Sequence, residues 1–418
     1  MSALRTFKAE SSDIKHLISF ENHKNDHHLH AYLEFEEPLD LTILEQATRL
    51  LGKKLPHLFS YFKQNHSSAA WHENHFATQD FISFIQTKEP EKEVQQALVK
   101  KLQIETGPQI RLTVIRSRNK EELVIILNHM LVDGGGFKEL LYLLADCYSK
   151  LLRNPDFTIK EELPRRGLNQ IFENFSLKEK WQILNDKTAI PPTKNPSSPL
   201  KGDTHHPYIL RTKVSKAQFS YIKAYAKSHG VTVNDCLLTA LSLAINEKLA
   251  ATELDIDCPI DIRKYNKQSN GLTNLTANLT FSFNEDDFNH FETTLLRKKM
   301  LFKEQKNSLQ PLHKFYVLDL IYKFLSYKTY KKQVKIRYDI PQTSLTNMGI
   351  IDETLLHFSQ NIVRDVYISG SLKYAPYCQI AATTFKDELT LSTNLHGTKE
   401  DYYFQLALLE TMKGHLPH

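Results

Sequence analysis

The segment NHMLVDGGG, residues 128–136, decides the fold because it joins two elements with clear patterns. The unbroken apolar run Leu123–Leu127 before it predicts a buried strand, and the helical spacing of apolar residues over 137–152 after it predicts a helix. Three consecutive glycines let the backbone bend sharply and let a ligand come close. The segment is therefore typical of a strand that opens through a tight loop into a helix.

His129 is the residue of this loop best suited to chemistry. Loops held by buried strands often carry catalytic groups. The unperturbed imidazole pKa of about 6.5 lets a neutral histidine accept a proton near neutral pH. We therefore predict that His129 is a general base and that Asp133 braces the loop. The local pattern leaves one alternative open, a core histidine beside a turn that needs glycine.

The residues before the segment predict a mixture of strands and helices. Alternation of apolar and polar residues indicates a strand, whereas apolar residues three or four apart indicate a helix. These patterns predict a strand over His28–Phe35, helices over Leu41–Leu51 and Glu91–Leu102, and a strand over Ile110–Ile115.

Residues 191–208, PPTKNPSSPLKGDTHHPY, contain five prolines and predict a loop between two halves. The second half again alternates strands and helices, which predicts two α/β subdomains. We expect an N-terminal subdomain with the histidine motif (1–190), a linker (191–208) and a C-terminal subdomain (209–418). Elements predicted after the linker are helices over Lys216–Ser228, Asp235–Leu249, Phe315–Tyr327 and from Glu400, and strands over Leu254–Ile260, Ile362–Ile368, Gln379–Thr384 and Glu388–Asn394.

Composition limits the function classes. Hydrophobic residues at 41% and charged residues at 24% are typical of a soluble globular protein, and 418 residues suit two subdomains. The formal net charge of +5 is small, and zinc-finger and RNP motifs are missing, so we expect no nucleic acid partner. The sequence shows no signal peptide and no transmembrane segment, which predicts a cytoplasmic protein. Four widely spaced cysteines predict buried thiols rather than disulfides or a metal site.

Several segments resemble, in order, the motifs of the chloramphenicol acetyltransferase-like superfamily. That group includes condensation domains of nonribosomal peptide synthetases, alcohol acetyltransferases, wax ester synthases and polyketide-associated acyltransferases. NHMLVDG (128–134) resembles the HHxxxDG motif. The other segments are PLDLTILEQATRLLGKKLPHL (38–58), GVTVNDCLLTALSLAI (230–245), PIDIRKY (259–265) with NLTANLTFSF (274–283), and SLTNMGI (344–350), which is similar to a late S-N-x-G element. The resemblance spans nearly the whole chain.

This resemblance implies a fold and a set of site residues. The fold would be two acetyltransferase-like subdomains, each a mixed sheet flanked by helices, with a tunnel at their interface. His129 matches the catalytic histidine, and Asp133 matches a structural aspartate that forms a salt bridge to Arg263. Asn128 replaces the first histidine, a mainly structural position, which argues against a standard peptide-forming condensation domain. Further candidates are Gly134 as a structural residue and Asn347, Asn278 and Gly135 for the oxyanion or the channel wall.

The resemblance also implies an activity, acyl transfer from a thioester to an alcohol or amine with His129 as general base. The expected donor is acyl-CoA, with an acyl carrier protein thioester as the second choice, and no bound cofactor or metal is required. We expect a monomer that acts on a small-molecule acceptor. Two alternatives stay open: a catalytically silent module that binds a carrier protein or lipid, and an amide-forming condensation domain. No carrier-domain serine motif is visible, which favours a stand-alone coenzyme A-dependent enzyme.

Two other patterns in the sequence bear on function. His23, His27, His28 and His30 resemble metal ligands, but no carboxylate or cysteine pattern completes a site, and we expect His28 and His30 at the surface. The stretch from Lys323 to Arg337 has six basic residues and no acidic one, with aromatic residues between them. It predicts a solvated face or, alternatively, a docking site for an anionic lipid surface, a carrier protein or the phosphates of coenzyme A. The absence of G-x-S-x-G, GxGxxG and P-loop motifs argues against a serine hydrolase and against nucleotide-dependent chemistry.

Overall fold

The computed structural model describes residues 4–118, 120–185, 194–266, 271–337 and 342–418. The strands are β1 (Thr6–Lys8), β2 (His28–Phe35), β3 (Ser60–Gln64), β4 (Ala69–Glu73), β5 (Ile82–Gln86), β6 (Ile110–Arg116), β7 (Glu121–Asn128), β8 (Pro207–Val214), β9 (Glu253–Asp261), β10 (Thr276–Asn284), β11 (Thr343–Ile351), β12 (Val363–Ser369), β13 (Lys373–Tyr374), β14 (Cys378–Phe385) and β15 (Glu388–His396). The helices are α1 (Ser11–Glu21), α2 (Leu41–Lys54), α3 (Thr78–Phe81), α4 (Pro90–Leu98), α5 (Gly134–Arg153), α6 (Asn169–Phe172), α7 (Leu177–Asn185), α8 (Lys216–His229), α9 (Val233–Leu249), α10 (Phe291–Asn307), α11 (Gln310–Phe324), α12 (Tyr327–Arg337) and α13 (Lys399–His415).

Four strands of the first half and β12 form a five-stranded mixed sheet in the order β12-β2-β7-β6-β5. β7 runs antiparallel to β2 and β6, whereas β5 runs parallel to β6. On β7, Leu123, Ile125 and Leu127 pack in one core with α2 and α5, whereas Val124 and Ile126 pack with α4. Because both faces of the strand are covered, its sequence is an apolar run rather than an alternation. A separate three-stranded sheet, β1-β4-β3, lies in the same half.

The second half builds a seven-stranded mixed sheet in the order β10-β9-β11-β14-β15-β13, with β8 paired to β15. β11 is parallel to β9 and β14, whereas β9–β10, β14–β15 and β15–β8 are antiparallel pairs. Leu241 on α9, Phe302 on α10 and Leu409 on α13 share one core with the strands of this sheet. Two mixed sheets flanked by helices confirm the predicted α/β class.

One strand from the second half joins the sheet of the first half. β12 pairs with β2 in an antiparallel register that places Tyr367 opposite Tyr32. Val363, Val366 and Ile368 of β12 are buried in the core of the first half. Burial of these apolar side chains stabilises the pairing of β12 with the sheet of the first half. The division of the chain into residues 1–190 and 209–418 stays a prediction, and this crossing links its two parts.

The described part of the predicted linker is held against the second half by hydrogen bonds. Residues 191–193 lie outside the described residues, and strand β8 already begins at Pro207. The backbone N–H of Lys194 donates to the Asp255 carboxylate at 2.8 Å. The N–H groups of Lys201 and Gly202 donate to Asp401 at 2.9 Å each. Residues 194–206 are therefore a fixed loop rather than a free tether.

Helix boundaries follow local capping. The helix predicted over 235–249 begins at Val233, because Thr232 and Asp235 form a reciprocal capping box. Gly230 ends α8 in the left-handed conformation, with φ of 62°. The helix predicted over 315–327 corresponds to α11, which begins earlier, at Gln310, with a proline in its first turn and ends at Phe324, whereas α12 begins at Tyr327. In the described parts of the chain, no helix is both long enough and apolar enough to cross a bilayer.

His28 and His30 are buried, so the expectation that they lie at the surface was wrong. β2 is an inner strand, and seven of its eight side chains are buried. His28 bonds the Asp26 carboxylate through Nδ1 at 3.1 Å, and Nδ1–H of His30 donates to the Gly370 carbonyl at 2.9 Å. Burial lowers the pKa of His30 to about 4. Among the described residues, no group of three or more His, Cys, Asp or Glu side chains is arranged to hold a metal ion.

Candidate active site

The loop of the histidine motif is shaped by Asn128 at the end of β7. The Asn128 side-chain oxygen accepts from the N–H of Met130 at 2.9 Å, and its Nδ2 donates to Oε1 of Gln109 at 2.7 Å. Helix α5 begins at Gly134, three residues earlier than the apolar pattern indicated, because the Asp133 carboxylate caps it by accepting from Gly136 N–H at 2.9 Å. Asn128 therefore positions backbone rather than substrate.

Two further residues, which the sequence did not indicate as site residues, hold the same loop in place by hydrogen bonds to its carbonyl groups. Arg166 donates through Nη2 to the carbonyls of Met130 at 2.9 Å and Leu131 at 3.2 Å, and its charge is matched by buried Asp13 at 2.6 Å. From the second half, Asn274 donates through Nδ2 to the carbonyls of His129 and Met130, both at 2.9 Å. The loop is thus held from both halves of the chain.

The imidazole of His129 is oriented by one hydrogen bond. Its Nδ1 lies 2.9 Å from the Val132 carbonyl, which can only accept, so Nδ1 carries the proton and Nε2 is the basic nitrogen. The ring stacks on His16, with centroids 4.2 Å apart. Burial lowers the pKa of His129 to about 4, and the charges of Lys373 and Lys15 add to this. The imidazole is therefore neutral and able to accept a proton at pH 7.

Asp133 is paired with Arg263 in the way the family resemblance implied. Two hydrogen bonds join the side chains, at 2.8 and 3.0 Å, and the carboxylate also accepts from Leu275 N–H and Thr276 Oγ1, both at 2.7 Å. Burial alone would raise the pKa of the Asp133 carboxyl, but Arg263 and these donors outweigh it and hold the pKa below its ordinary value. The bonds of Asp133 go to its own loop and to the second half, not to His129.

The glycines of the motif permit close packing against the second half. A Cβ on Gly136 would lie 2.7 Å from the Gly271 carbonyl oxygen and 2.9 Å from Cβ of Val132. A Cβ on Gly134 would meet the sulfur of Met348, the far end of a flexible side chain, at 2.4 Å. A Cβ on Gly135 would lie 3.2 Å from the Arg263 guanidinium.

Gly136→Ala should therefore destabilise the protein more than Gly134→Ala. Overpacking against fixed backbone typically costs about 1–3 kcal/mol, whereas a methionine side chain can move. Denaturant unfolding of the two variants measures the difference in the free energy of unfolding. Equal stabilities would contradict this account of the loop.

A cavity of about 270 Å³ lies beside His129, and both halves of the chain line it. The predicted site residues Asp133, Gly134, Gly135, Arg263, Asn278 and Asn347 all border it. Sequence reasoning missed six further ionisable residues on the cavity wall, namely Lys15, His16, Lys138, Asp257, Asp261 and Lys373. The expectation that the cavity opens on both faces of the molecule stays a prediction.

The two asparagines on the wall are engaged to different degrees. Nδ2 of Asn278 donates to the Asp257 carboxylate. Nδ2 of Asn347 reaches only Asn234, at a long 3.4 Å, and its side-chain oxygen accepts from Gly349 N–H at 2.9 Å. Burial raises the pKa of Asp257 to about 7, although the charges of Lys314, Lys15 and Lys373 oppose this. The Asn347 amide is therefore the more available donor.

The basic stretch of the sequence forms α12 and the end of α11. Tyr330 is buried and donates its hydroxyl to the Ser11 carbonyl at 2.9 Å. Lys323 pairs with Asp319 at 2.7 Å, and Lys331 pairs with Glu21 at 2.6 Å. These contacts anchor the stretch to the fold, and its docking role stays a prediction.

Sequence comparisons match this chain to known proteins. The family model of the condensation domain matches residues 16–270. A plipastatin synthase polypeptide from Bacillus subtilis (strain 168) is 28% identical over 160 residues, which are 35% of this chain and 6% of that protein. A mycosubtilin synthase polypeptide from Bacillus subtilis is 20% identical over 328 residues, 76% of this chain and 12% of that protein. The chain thus spans only a small part of these relatives.

Solved structures show the same fold at low sequence identity. The trichothecene 15-O-acetyltransferase TRI3 from Fusarium sporotrichioides aligns with a TM-score of 0.69 at 12% identity, over 98% of this chain and 95% of that one. The epimerization domain from the third module of tyrocidine synthetase B aligns with a TM-score of 0.67 at 15% identity, over 99% and 96%. These neighbours confirm the predicted fold of two acetyltransferase-like subdomains.

Proposed function

The chain belongs to the condensation-domain family, and from this premise we propose that it is a transferase that moves an acyl group from a thioester to a hydroxyl or an amine. One observation carries the proposal. Nδ1 of His129 is held by the Val132 carbonyl, and Nε2, without a hydrogen-bond partner in the described part of the chain, is left for a substrate in the cavity. A neutral, oriented imidazole in a cavity is the arrangement that general-base catalysis requires.

In the proposed reaction, Nε2 of His129 takes the proton of the acceptor hydroxyl or amine as the acceptor atom attacks the thioester carbonyl carbon. The carbonyl oxygen becomes an oxyanion in a tetrahedral intermediate. The intermediate collapses, the C–S bond breaks, and the departing sulfur recovers the proton from Nε2. An ester or amide and a free thiol result, and His129 returns to its neutral state.

The oxyanion needs a hydrogen-bond donor in the cavity. We propose the backbone N–H of Gly135, in the first turn of α5, and the Asn347 amide for this role. The partial positive charge at the start of a helix favours an anion there. Asp133 and Arg263 would position the loop without exchanging protons with the substrate.

The thioester can be carried by coenzyme A or by a carrier protein, and both present the same reacting group. We propose acyl-CoA as the donor and a small-molecule alcohol or amine as the acceptor. The ester-forming structural neighbour, an O-acetyltransferase, supports acyl transfer to a hydroxyl. The synthase relatives make a carrier-bound thioester the second donor to test.

The test is release of free thiol from acyl donors of increasing chain length in the presence of alcohols and amines. Each acyl group is offered once on coenzyme A and once on a carrier protein, with product mass identifying the ester or amide. Thiol release that depends on the acceptor and is lost in His129→Ala supports the proposal. If no donor on either carrier turns over with any acceptor, the protein is a binding module and the proposal is wrong.

The pH dependence of the reaction provides an independent test of His129. Because the base must be deprotonated, kcat/KM should stay constant as pH falls through 6.5 and should decline only as pH approaches about 4, the lowered pKa of His129. Asp257 has a pKa of about 7, so its titration can add a second change to the plot of kcat/KM against pH. The plot is therefore measured for wild type and for Asp257→Asn. An ascending limb near pH 6.5 that persists in Asp257→Asn would contradict the lowered pKa.

A further inference from the structure

Lys373 is a buried cation on the wall of the His129 cavity. Its side chain is 7% exposed, yet its ammonium group has neither a hydrogen bond nor an ion pair with any residue that the structure describes. An ammonium group away from water normally needs hydrogen-bond acceptors or an opposite charge. The acceptor that is missing from the protein would therefore come from whatever fills the cavity.

Backbone pairing on both sides of Lys373 holds its Cα in place, so the position from which the side chain extends is set by the fold. β13 pairs with β15, placing Lys373 opposite Leu395, and Lys373 also bridges to Asn25. On either side of it, Leu372 N–H donates to Asp26 at 2.9 Å and Tyr374 N–H donates to the Lys24 carbonyl at 3.2 Å. The residue is thus locked between the two halves and is not a mobile surface lysine.

The other cations of the cavity already have partners. Arg263 pairs with Asp133 and with Asp261, at 2.8 and 3.1 Å. Nζ of Lys138 donates to the Ile350 carbonyl at 3.2 Å. Lys15 lies over the Phe315 ring, with Nζ 4.5 Å from the ring centroid. Among these wall cations, Lys373 is the one whose ammonium group has no hydrogen bond, ion pair or ring contact with the described residues, and Asp26 and Asp257, the carboxylates that attract it most, form no ion pair with it.

Asp257 is an acidic wall residue outside the Arg263 cluster, and it does not neutralise Lys373. It forms no ion pair with Lys373, and its carboxylate accepts from Asn278 instead. Burial raises the pKa of Asp257 to about 7, whereas the pKa of Lys373 is lowered by burial only to about 8. At neutral pH the lysine is mostly charged and the aspartate is partly protonated, so the cavity favours an anion.

We propose that Lys373 binds a carboxylate carried by one of the two substrates, so that the enzyme selects a substrate with an acidic group close to the reacting centre. The proposal rests on the acyl transfer proposed above and names its substrate class. Lys373 and His129 line the same cavity, which places the bound carboxylate in that cavity with the reacting atoms. Its three N–H donors suit a carboxylate oxygen.

Two arms of the test identify which substrate carries the carboxylate. On the acceptor side, ω-hydroxy acids of graded length are compared with their primary amides. On the acyl side, succinyl-CoA is compared with butyryl-CoA. Binding is measured by calorimetry with the His129→Ala variant, so that nothing turns over, and rates are measured with wild type. In one arm the carboxylate should bind about ten- to a hundredfold more tightly than its neutral partner.

Lys373→Met should abolish this preference, and Lys373→Arg should keep part of it. Lys24→Met is the matched control, since Lys24 is 8% exposed in the adjacent segment but does not line the cavity. A structural role for Lys373 would make Lys373→Met unfold at lower temperature, whereas removal of an uncompensated buried charge should leave the melting temperature unchanged or raise it.

The outcomes separate this proposal from the proposed function. Loss of the carboxylate preference in Lys373→Met but not in Lys24→Met supports it. Wild-type enzyme that transfers acyl groups but treats carboxylates and neutral partners alike overturns it and leaves acyl transfer standing. A rate loss in Lys373→Met that is equal for charged and neutral substrates also overturns it, because that lysine would then act on the oxyanion. Carboxylate-selective binding with no turnover of any thioester supports it and removes the acyl-transfer function.

Discussion

Replacing His129 with alanine is expected to lower kcat/KM for acyl transfer by about a hundred- to ten-thousand-fold. The imidazole is the neutral base that the geometry aims at the cavity, with Nδ1 occupied by Val132. His16, stacked on the ring, cannot simply replace it, because its position differs by the 4.2 Å between the two centroids and a general base must reach the proton it removes. Initial rates of thiol release with the best donor and acceptor measure the effect.

Two controls make the His129→Ala result interpretable. The exposed His205→Ala removes a histidine far from the cavity and should leave kcat/KM unchanged. His129→Ala itself should lose about 1 kcal/mol of unfolding free energy, since it gives up one hydrogen bond. Substrate binding should persist, so the loss appears in kcat. Wild-type turnover by a folded His129→Ala protein would show that the reaction uses another base.

The loop that carries His129 could be predicted from the sequence around it. β7, the glycine turn and α5 follow from apolar patterns and turn chemistry within residues 123–152, and they place His129. The partner of Asp133 needed more than local pattern. Arg263 lies 130 residues away, and only the family resemblance joined the two.

The charged wall of the cavity was not predictable, for identifiable reasons. Lys373 belongs to a strand of two residues, which is too short to leave a periodic pattern. Lys15 and His16 lie on α1, whose apolar stripe of Ile14, Leu17 and Ile18 predicts only the face that packs in the core. Lys15 is buried outside that stripe, which apolar spacing does not predict. These side chains come together only on the wall of a cavity that both halves line, and local sequence patterns do not predict which distant residues share such a wall.

The burial of His28 and His30 was mispredicted for a related reason. Alternation along β2 predicts one buried face and one solvent-exposed face, as in a sheet covered on one side. Here β12 crosses from the second half and makes β2 an inner strand. The histidines then find partners that are specific to the fold, such as the Gly370 carbonyl for His30.

Breaking the pair between Asp133 and Arg263 should have the largest effect on stability. Asp133→Asn and Arg263→Ala should each lower the free energy of unfolding by about 3–5 kcal/mol, because each removes the main opposite charge beside a buried ion. After Asp133→Asn, Arg263 keeps only its contact with the exposed Asp261. The side chains are only 3% and 17% exposed, so water cannot take over the lost interaction. Arg165→Ala, which removes half of the exposed pair with Glu173, is the matched control and should change stability by less than about 1 kcal/mol.

The double variant and the pH dependence show whether the effect belongs to the pair. Asp133→Asn with Arg263→Ala should be less destabilised than the sum of the single variants, by about 0.5–3 kcal/mol. Because the folded protein lowers the pKa of Asp133, its contribution should be complete above pH of about 4, the ordinary value of a free aspartate, and should be lost as pH falls below that toward the lowered pKa. Denaturant unfolding at several pH values measures both. Strict additivity, or a gap between wild type and Asp133→Asn that widens at low pH, would show that the two residues act separately and that the loop around His129 is held by its other bonds, those of Arg166 and Asn274.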